Sequence, residues 1–572
     1  MKDVISRILK DALNKLNVKI KEDEIYKFIE IPPSVEIGDY AFPCFSLSKK
    51  IGEGPHQIAL MIREKIAGNF PEEQFDDIQT LGPYVNFFVN RKSFAINLLQ
   101  EILSKKEKFG KPYLNEKSKS MVEFSQPNTH KAFHVGHIRG TSLGESISRI
   151  LEFSGDKVIR ANYSGDTGMH VAKWIWCYMK YHLKEKLSDD ESWIASIYVD
   201  AVRRLKENEK LQEEANEINR MLEYKENGKL TKLWEKSRKL SINSWEKIYK
   251  ELNAKFDVYF FESEMEKRAK ELSSKLRERK IATKSDGAII VNLKKYNLGV
   301  WVLLRKDGTV LYSAKDIALA EKKFSKYKID KNINVIGAAQ SLHIAQLFKT
   351  LELMKFANTN GNIFVPYAEV RLPSGKMSSR TGENVLYSKF MEEIMEYAKS
   401  EIKKREPKIQ KKELEKRALR ISIASIKYSM LKQSPNKNII FDKKEALNFE
   451  GDSGAYLLYS YARASSVLRK ASSNKPKNID SYDSDELEPP EFALVKKLSQ
   501  FPEIAFSSYR NLNPSLIANY SYQLSQIFSE FYHSCPIINS KQNGFRLSLT
   551  EAFRQTLGTC LNLLGIEILE KM

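Results

Sequence analysis

A chain of 572 residues with 42% hydrophobic and 29% charged residues has room for roughly three or four domains with large cores, which excludes a disulfide-stapled mini-protein and a disordered chain. Its formal charge of +20 predicts a polyanionic partner, nucleic acid ahead of a membrane, because no segment approaches the roughly 18 apolar residues of a membrane span. On charge alone, a generally basic surface is an equal reading.

Val4, Ile5, Ile8, Leu9, Leu13 and Leu16 recur at helical spacing with Asp3 and Asp11 among the polar positions. This predicts an amphipathic helix in place of a secretory or transit signal, and by default a cytoplasmic chain. A turn-rich stretch Ile31–Asp39, a helix around Gln57–Ala67 and a strand Gly82–Val89 complete a small α/β unit. In that strand Val85, Phe87 and Val89 are core candidates, while Tyr84 and Asn86 share the other face and can offer a ring and an amide to an RNA base.

Strand-like runs at Ser120–Phe124, Lys157–Asn162, Ala288–Asn292 and Asn334–Gly337 alternate with helical segments, which predicts a parallel α/β sheet. Residues 180–254 interrupt it with a Lys- and Glu-rich helical insertion, where Trp193, Trp234 and Trp245 read as packing anchors. Between the first strand and a helix from Ile138 lies Phe124-Ser-Gln-Pro-Asn-Thr-His-Lys-Ala-Phe-His-Val-Gly-His137, holding three of the eight histidines. Strand, loop and helix start suit a phosphate at the positive helix end, and Gly136 lets a ligand approach the backbone. Tyr312 and Asp316 share a helix face, although Asp316 alone reads equally as a solvated helix acid. Leu372-Pro-Ser-Gly-Lys-Met-Ser-Ser-Arg-Thr-Gly382 is a glycine-bounded loop with two cations, able to close on a polyphosphate, and in isolation it reads as a surface turn. Asn162–His170, glycine-rich after a strand, is predicted to line the site.

From about Phe390 the pattern is helical throughout. Between Glu401 and Glu445 it carries 14 Lys and Arg against six Asp and Glu, a net of +8, the strongest candidate for an RNA backbone contact, with a solvated helix face as the competing reading. Tyr456, Tyr459 and Arg463 share a face at i, i+3, i+7. Residues 471–490 are a polar loop, and there is no internal repeat. Cys44, Cys177, Cys535 and Cys560 are scattered without a C-x-x-C pair, so neither a disulfide framework nor protein-bound zinc is predicted.

Together these residues resemble the arginyl-tRNA synthetases of class I. His134-Val-Gly-His137 resembles the HIGH signature and Lys376-Met-Ser-Ser-Arg380 stands where that class has its KMSKS loop. Each is weak alone, but their order, their separation and the flanking Glu123-Phe-Ser-Gln-Pro-Asn128 and Tyr312-Ser-Ala-Lys-Asp316 make the resemblance specific. It implies a multidomain α/β protein: an N-terminal tRNA-elbow domain (1–112), a Rossmann-type parallel-sheet catalytic core (113–388) with the helical insertion, and an all-helical anticodon-binding domain (389–572).

The same resemblance implies ATP-dependent attachment of L-arginine to the 3′-terminal adenosine of tRNA(Arg) through an arginyl-adenylate, with Mg²⁺ brought by the nucleotide, arginine activation requiring bound tRNA, and a monomer. ATP would meet Lys131, His134, Gly136, His137, Lys376, Met377, Ser378 and Arg380, with His134, His137, Lys131 and Lys376 as the catalytic group. A guanidinium is a permanently charged planar fork that needs facing carboxylates. Asp316 fits it, and the resemblance adds Glu262 and Tyr312, with Glu123, Asn128 and Gln340 at the α-amino end. The tRNA would meet Tyr84, Asn86, Tyr456, Tyr459, Arg463, Tyr532 and Met572. Ser379 stands where the KMSKS loop normally has its second lysine; Lys131 is placed to supply that charge, and Arg380 is its rival. Competing readings are a synthetase for another amino acid, a smaller H-x-G-H nucleotidyltransferase, and a catalytically silent tRNA-binding regulator.

Overall fold

The computed structural model describes the chain except residues 68–69, 113–116, 225–226, 357–358, 374, 377–384 and 472–486. It separates into two compact units: Met1–Lys105, Ala471–Ser499 and Glu530–Ala552 form one, and Lys106–Lys470, Gln500–Ser529 and Phe553–Met572 the other. No helix among the described residues is long and apolar enough to cross a membrane.

In the first unit the helix Lys2–Lys15 buries Ile5, Leu9 and Leu13. Strands β1 (Tyr40–Pro43), β2 (Phe75–Leu81) and β3 (Tyr84–Val89) form an antiparallel sheet of order β1-β3-β2. Val85, Phe87 and Val89 enter the same core as the first helix, as period-2 patterning predicts. The other face is not free. Asn86 is only 4% exposed, because the backbone at Gly38 comes so close that a Cβ there would stand 3.2 Å from the Cβ of Asn86. Tyr84 is half-buried and meets the exposed ring of Phe45 edge-on, centroids 5.7 Å apart.

The second unit continues with β4 (Lys119–Glu123), β5 (Lys157–Ser164), β6 (Val258–Phe261), β7 (Thr283–Ser285), β8 (Ala288–Asn292), β9 (Val300–Leu304), β10 (Lys331–Gly337) and β11 (Asn362–Tyr367). Five of these make an all-parallel sheet of order β11-β10-β4-β5-β6. Met121 and Val122 of β4 are both fully buried, which requires cover on both faces and explains an apolar run where alternation would mark a one-sided sheet. The chain builds outward from β4 to β6, then returns to add β10 and β11 on the other side. The order therefore reverses between β4 and β10, the switch point at which open α/β sheets leave a ligand crevice.

Ala288–Asn292 requires a correction. It is a strand, but it is the middle one of a separate antiparallel sheet, β7-β8-β9. A short apolar run does not distinguish the two sheet types. The hairpin signal is the Asp286-Gly287 pair, both at positive φ (48° and 86°), the turn chemistry of a two-residue loop.

The insertion folds as the helices Glu191–Glu207, Leu211–Tyr224 and Gly228–Glu251. Its tryptophans pack: Trp234 and Trp245 are buried, and Trp193 meets Trp174 edge-on. Beyond residue 389 the described elements are helices except for a two-residue strand, Ile439–Ile440, that runs parallel to Val370–Leu372.

Candidate active site

A cavity of about 760 Å³ opens at the carboxyl ends of β4 and β10, lined from Glu123 through His137 on one side and from Ile336 through His343 on the other. It lies at the switch point described above.

The loop leaving β4 is bent by three non-glycine residues at positive φ, Ser125 (74°), Gln126 (51°) and His130 (61°), conformations that persist only where the surroundings hold them. His130 supplies much of that hold. It is fully buried, its ring nitrogens sit 2.9 Å from Thr129 Oγ1 and 2.8 Å from Ser237 Oγ, and its backbone N–H donates to Ser241 Oγ at 3.0 Å. Ser237 and Ser241 belong to the insertion helix Gly228–Glu251. His130 is thus a fastening and not part of the cavity wall.

His134 adopts extended backbone and caps the helix Val135–Ser154. Its N–H donates to His137 Nδ1 at 3.1 Å, and the two rings lie 3.9 Å apart. That bond makes Nδ1 of His137 an acceptor, so its hydrogen is on Nε2. Burial lowers both rings' proton affinity, with Lys131 adding to the effect at His134, which falls to about 4, and His134 adding to it at His137. Both are therefore neutral donors at pH 7. Gly136 gives the His134 ring its room, since a Cβ would stand 3.0 Å from it and press it out of place.

One turn on, Arg139 is buried and donates to five carbonyls: Ala368 (2.6 Å), Glu369 (3.3 Å), Ser434 (3.4 Å), Pro435 (2.9 Å) and Lys437 (2.7 Å). It ties the histidine helix to the strand Val370–Leu372. Gly140 and Gly144 let that helix lie close to Tyr367 and Phe124, where a Cβ would come within 2.8 Å and 2.1 Å.

The acids converge from three other elements. Glu123, at the end of β4, lies 2.6 Å from the buried ammonium of Lys323 and accepts from Gln126 at 3.0 Å. Glu262 opens the helix Glu262–Glu278 and accepts from Lys315 at 3.2 Å. Burial raises its pKa, with Lys315 opposing and Asp316 reinforcing the shift, so Glu262 and Asp316 feel each other's charge across the cavity. Tyr312 and Asp316 face the cavity from the helix Tyr312–Tyr327, as their i, i+4 spacing predicts. Asn128 and Gln340 line it as well. Gly165 leaves room for two of these side chains, because a Cβ there would lie 2.5 Å from Asn128 Oδ1 and 3.1 Å from Glu262 Oε1 and would push them from their present positions. Its neighbour Asp166, buried, accepts from the Ser263 N–H and hydroxyl and pairs with Arg238 at 2.8 Å. The glycine-rich stretch Asn162–His170 thereby anchors the start of the Glu262 helix.

Other predicted residues lie elsewhere. Lys131 does not line the cavity; its ammonium is 5.4 Å from the Tyr198 ring centroid, and burial, then Lys173, lowers its pKa. The backbone of Lys376 pairs with Arg371 in a two-residue strand, whereas Met377, Ser378 and Arg380 lie outside the described residues. On the helix Gly454–Ala471, Arg463 covers the Tyr459 ring at 4.6 Å and donates to its hydroxyl, while Tyr456 donates to the Ser525 carbonyl. Met572 lines a separate pocket of about 160 Å³ with Arg405, Arg417 and Phe449. Tyr532 is 36% exposed.

Sequence reasoning misses Lys323, Lys315, His343, Asp166 and Arg139. Each acts through a partner far away in the chain; for Lys323, Lys315, His343 and Arg139 an isolated polar residue on an apolar helix face is the one local mark, while Asp166 lies in the loop after β5, within the stretch Asn162–His170. Cys177, His182 and Asp200 gather possible ligand atoms within 4.8 Å. However, Asp200 is already held by Arg203 and Arg204, so the group reads as an ion-pair network more than a cation site.

A helix capped by His134 that leaves β4 at the switch point of a parallel α/β sheet fits the catalytic fold of the class I aminoacyl-tRNA synthetases, and comparison with known proteins shows that class. The family description "tRNA synthetases class I (R), catalytic domain" matches residues 98–443, flanked by "Arginyl tRNA synthetase N terminal domain" over 3–89 and "DALR anticodon binding domain" over 457–572. The arginine–tRNA ligase of Clostridium acetobutylicum is 33% identical over 570 residues, 99% of each chain, and that of Clostridium perfringens 34% over 565 residues, 98% of each. The solved Thermus thermophilus arginyl-tRNA synthetase superposes with a TM-score of 0.82 at 26% identity, covering 100% of both chains. The chain belongs to the arginyl-tRNA synthetase family.

Proposed function

We propose that the chain attaches L-arginine to the 3′-terminal adenosine of tRNA(Arg) in two steps. The arginine carboxylate attacks the α-phosphorus of ATP, forming arginyl-adenylate and releasing pyrophosphate; the adenosine 2′-hydroxyl then takes the arginyl group and AMP leaves. The observation that carries this reading is one cavity lined both by His134 and His137, whose proton affinity burial lowers, and by Glu262, Tyr312 and Asp316. The first pair donates without charge as negative charge moves toward pyrophosphate. The second group answers a guanidinium fork, which a lysine ammonium would satisfy only in part.

Both steps run on positioning and preorganised donors, with no protein nucleophile required. Glu123, Asn128 and Gln340 would take the α-amino end, and Mg²⁺ would come with the triphosphate. Lys376, Met377, Ser378 and Arg380 would close over the phosphates, with Lys131, near enough to depress His134, giving the charge that Ser379 lacks. Residues 1–112 would meet the tRNA elbow through the half-buried Tyr84, with Asn86 buried beside it and not itself in reach of a base. Residues 389–572 would meet the anticodon through Tyr456, Tyr459, Arg463, Tyr532 and Met572, and the protein would act as a monomer.

Charging unfractionated tRNA with each amino acid tests the reading. Arginine alone is expected to be transferred; transfer of a different amino acid would reassign the pocket, and no transfer at all would leave a tRNA-binding regulator. ATP–pyrophosphate exchange with and without tRNA tests whether activation needs tRNA; full exchange in its absence would overturn that part.

A further inference from the structure

Asp316 does not meet the cavity as an unsupported side chain. Its Oδ2 is 2.5 Å from His343 Nε2, and among the described residues Oδ1 has no hydrogen-bond partner. On its other side, His343 receives a hydrogen bond at Nδ1 from the indole N–H of Trp301, at 3.2 Å. Indole nitrogen only donates, so Nδ1 is the acceptor and the ring hydrogen is on Nε2, directed at the carboxylate. Trp301 is buried in β9, His343 sits in the first turn of the helix Ser341–Leu353, and Asp316 belongs to the helix Tyr312–Tyr327. The three residues thus fix one hydrogen-bond direction across three elements. The His343 ring also packs against Tyr312, centroids 4.6 Å apart.

An aspartate carboxylate rotates broadly about its last bond. A guanidinium fork, in contrast, rewards one plane of the acceptor. A single donor fixed on Oδ2 removes that rotation before the substrate arrives, which is how a supporting side chain raises affinity without touching the ligand.

We propose that His343 is the positioning residue for the guanidinium end of the site: held in one tautomer by Trp301, it sets the plane of the Asp316 carboxylate and leaves Oδ1 to receive the substrate. This rests on the reading that Asp316 binds the arginine side chain, so the test includes an arm for that reading.

Two substitutions at 343 separate the two bonds. Asn places its amide where Nδ1 lies, accepting from Trp301 but falling short of Asp316; Gln places an N–H where Nε2 lies, donating to Asp316. In aminoacylation, His343→Asn is expected to raise the KM for arginine about tenfold, the scale of one lost charge-assisted bond, with kcat and the KM for ATP little changed. His343→Gln is expected to restore the KM for arginine to near the wild-type value, and Asp316→Asn to raise it at least as much as His343→Asn does. Wild-type KM in His343→Asn beside a raised KM in Asp316→Asn overturns the positioning role, as does a Gln variant no better than Asn or a joint loss of kcat and ATP affinity. An unchanged KM in Asp316→Asn would instead overturn the reading of the pocket. Should His343→Asn fail to fold, Trp301→Phe, which removes the orienting N–H together with part of a buried ring, is expected to lower the melting temperature and to raise the arginine KM with the KM for ATP unchanged, and an unchanged arginine KM there overturns the proposal.

Discussion

Arg139 Nη2 lies 2.7 Å from the carbonyl oxygen of Lys437, a bond across 298 residues that joins the helix starting at His134 to the segment beside the strand Val370–Leu372. Of the four other carbonyls it serves, Ser434 and Pro435 lie in the segment of Lys437, and Ala368 and Glu369 lie just ahead of the strand Val370–Leu372. Burial lowers the guanidinium pKa to about 10, still charged at pH 7, so five carbonyl dipoles stand in for a counter-ion.

Arg139→Lys therefore keeps the charge and loses the geometry, because an ammonium donates from one point. Buried carbonyls left unpaired cost about 1–3 kcal/mol. The expected result is a melting temperature lowered by several degrees, together with a lower kcat as the two segments lose register. A melting curve and a kcat both equal to wild type would show the clamp to be dispensable.

Gly165→Ala tests how tightly the amino-acid end is built. Its new methyl would meet Asn128 Oδ1 at 2.5 Å and Glu262 Oε1 at 3.1 Å, and both can yield only by turning from their present positions. A KM for arginine raised about tenfold or more is expected, with the far-ultraviolet circular dichroism unchanged. A KM like the wild type's would mean that Asn128 and Glu262 can shift at no loss to binding.

Lys131→Ala is expected to lower aminoacylation at least about tenfold, one charge-assisted hydrogen bond being worth about 1.5–3 kcal/mol. Thermal stability should barely move, since the ammonium stands 5.4 Å from the centroid of the Tyr198 ring, a loose cation–π geometry. Wild-type activity in this variant assigns the phosphate charge to Arg380.

Lys427 makes a pH-dependent prediction. Its ammonium is fully buried between the carbonyls of Leu252 and Gly565, at 2.7 and 2.8 Å. Burial first, then Arg149, lowers its pKa to about 7, against the opposing pull of Glu145 and Glu567. From about pH 7 to about pH 10 the unfolded chain holds this proton and the folded chain does not, so this group makes stability rise with pH over that window. Lys427→Met removes that contribution: the difference in melting temperature, wild type minus variant, should grow from pH 7 to 9.5. A constant difference would place the ammonium's pKa in its ordinary range.

Local chemistry is legible in the sequence where one element carries it. The i, i+4 pair Tyr312 and Asp316, the strand–loop–helix order around the His134–His137 stretch and the packing role of the insertion's tryptophans follow from the local pattern, although the helix starts at Val135, three residues before the apolar period at Ile138. What spacing does not encode is the partner across the fold. Nothing near Asp316 announces His343, and nothing near Glu123 announces Lys323. The outer face of β3 reads as open because alternation marks which way Asn86 points but not that the backbone at Gly38 covers it. Ala288–Asn292 reads into the wrong sheet for a related reason: pairing direction is set by connections, here an Asp-Gly turn.

The two serines that hold His130 stand one helical turn apart on the insertion. The module that interrupts the catalytic fold is therefore a mould for the loop beside the site, and it limits how far the protein can be trimmed. A shortened enzyme with the insertion excised would keep every residue of the His134–His137 signature and still release the bend that aims it. Miniaturisation by deletion would have to retain at least the helix Gly228–Glu251, or rebuild its two hydroxyls on another support.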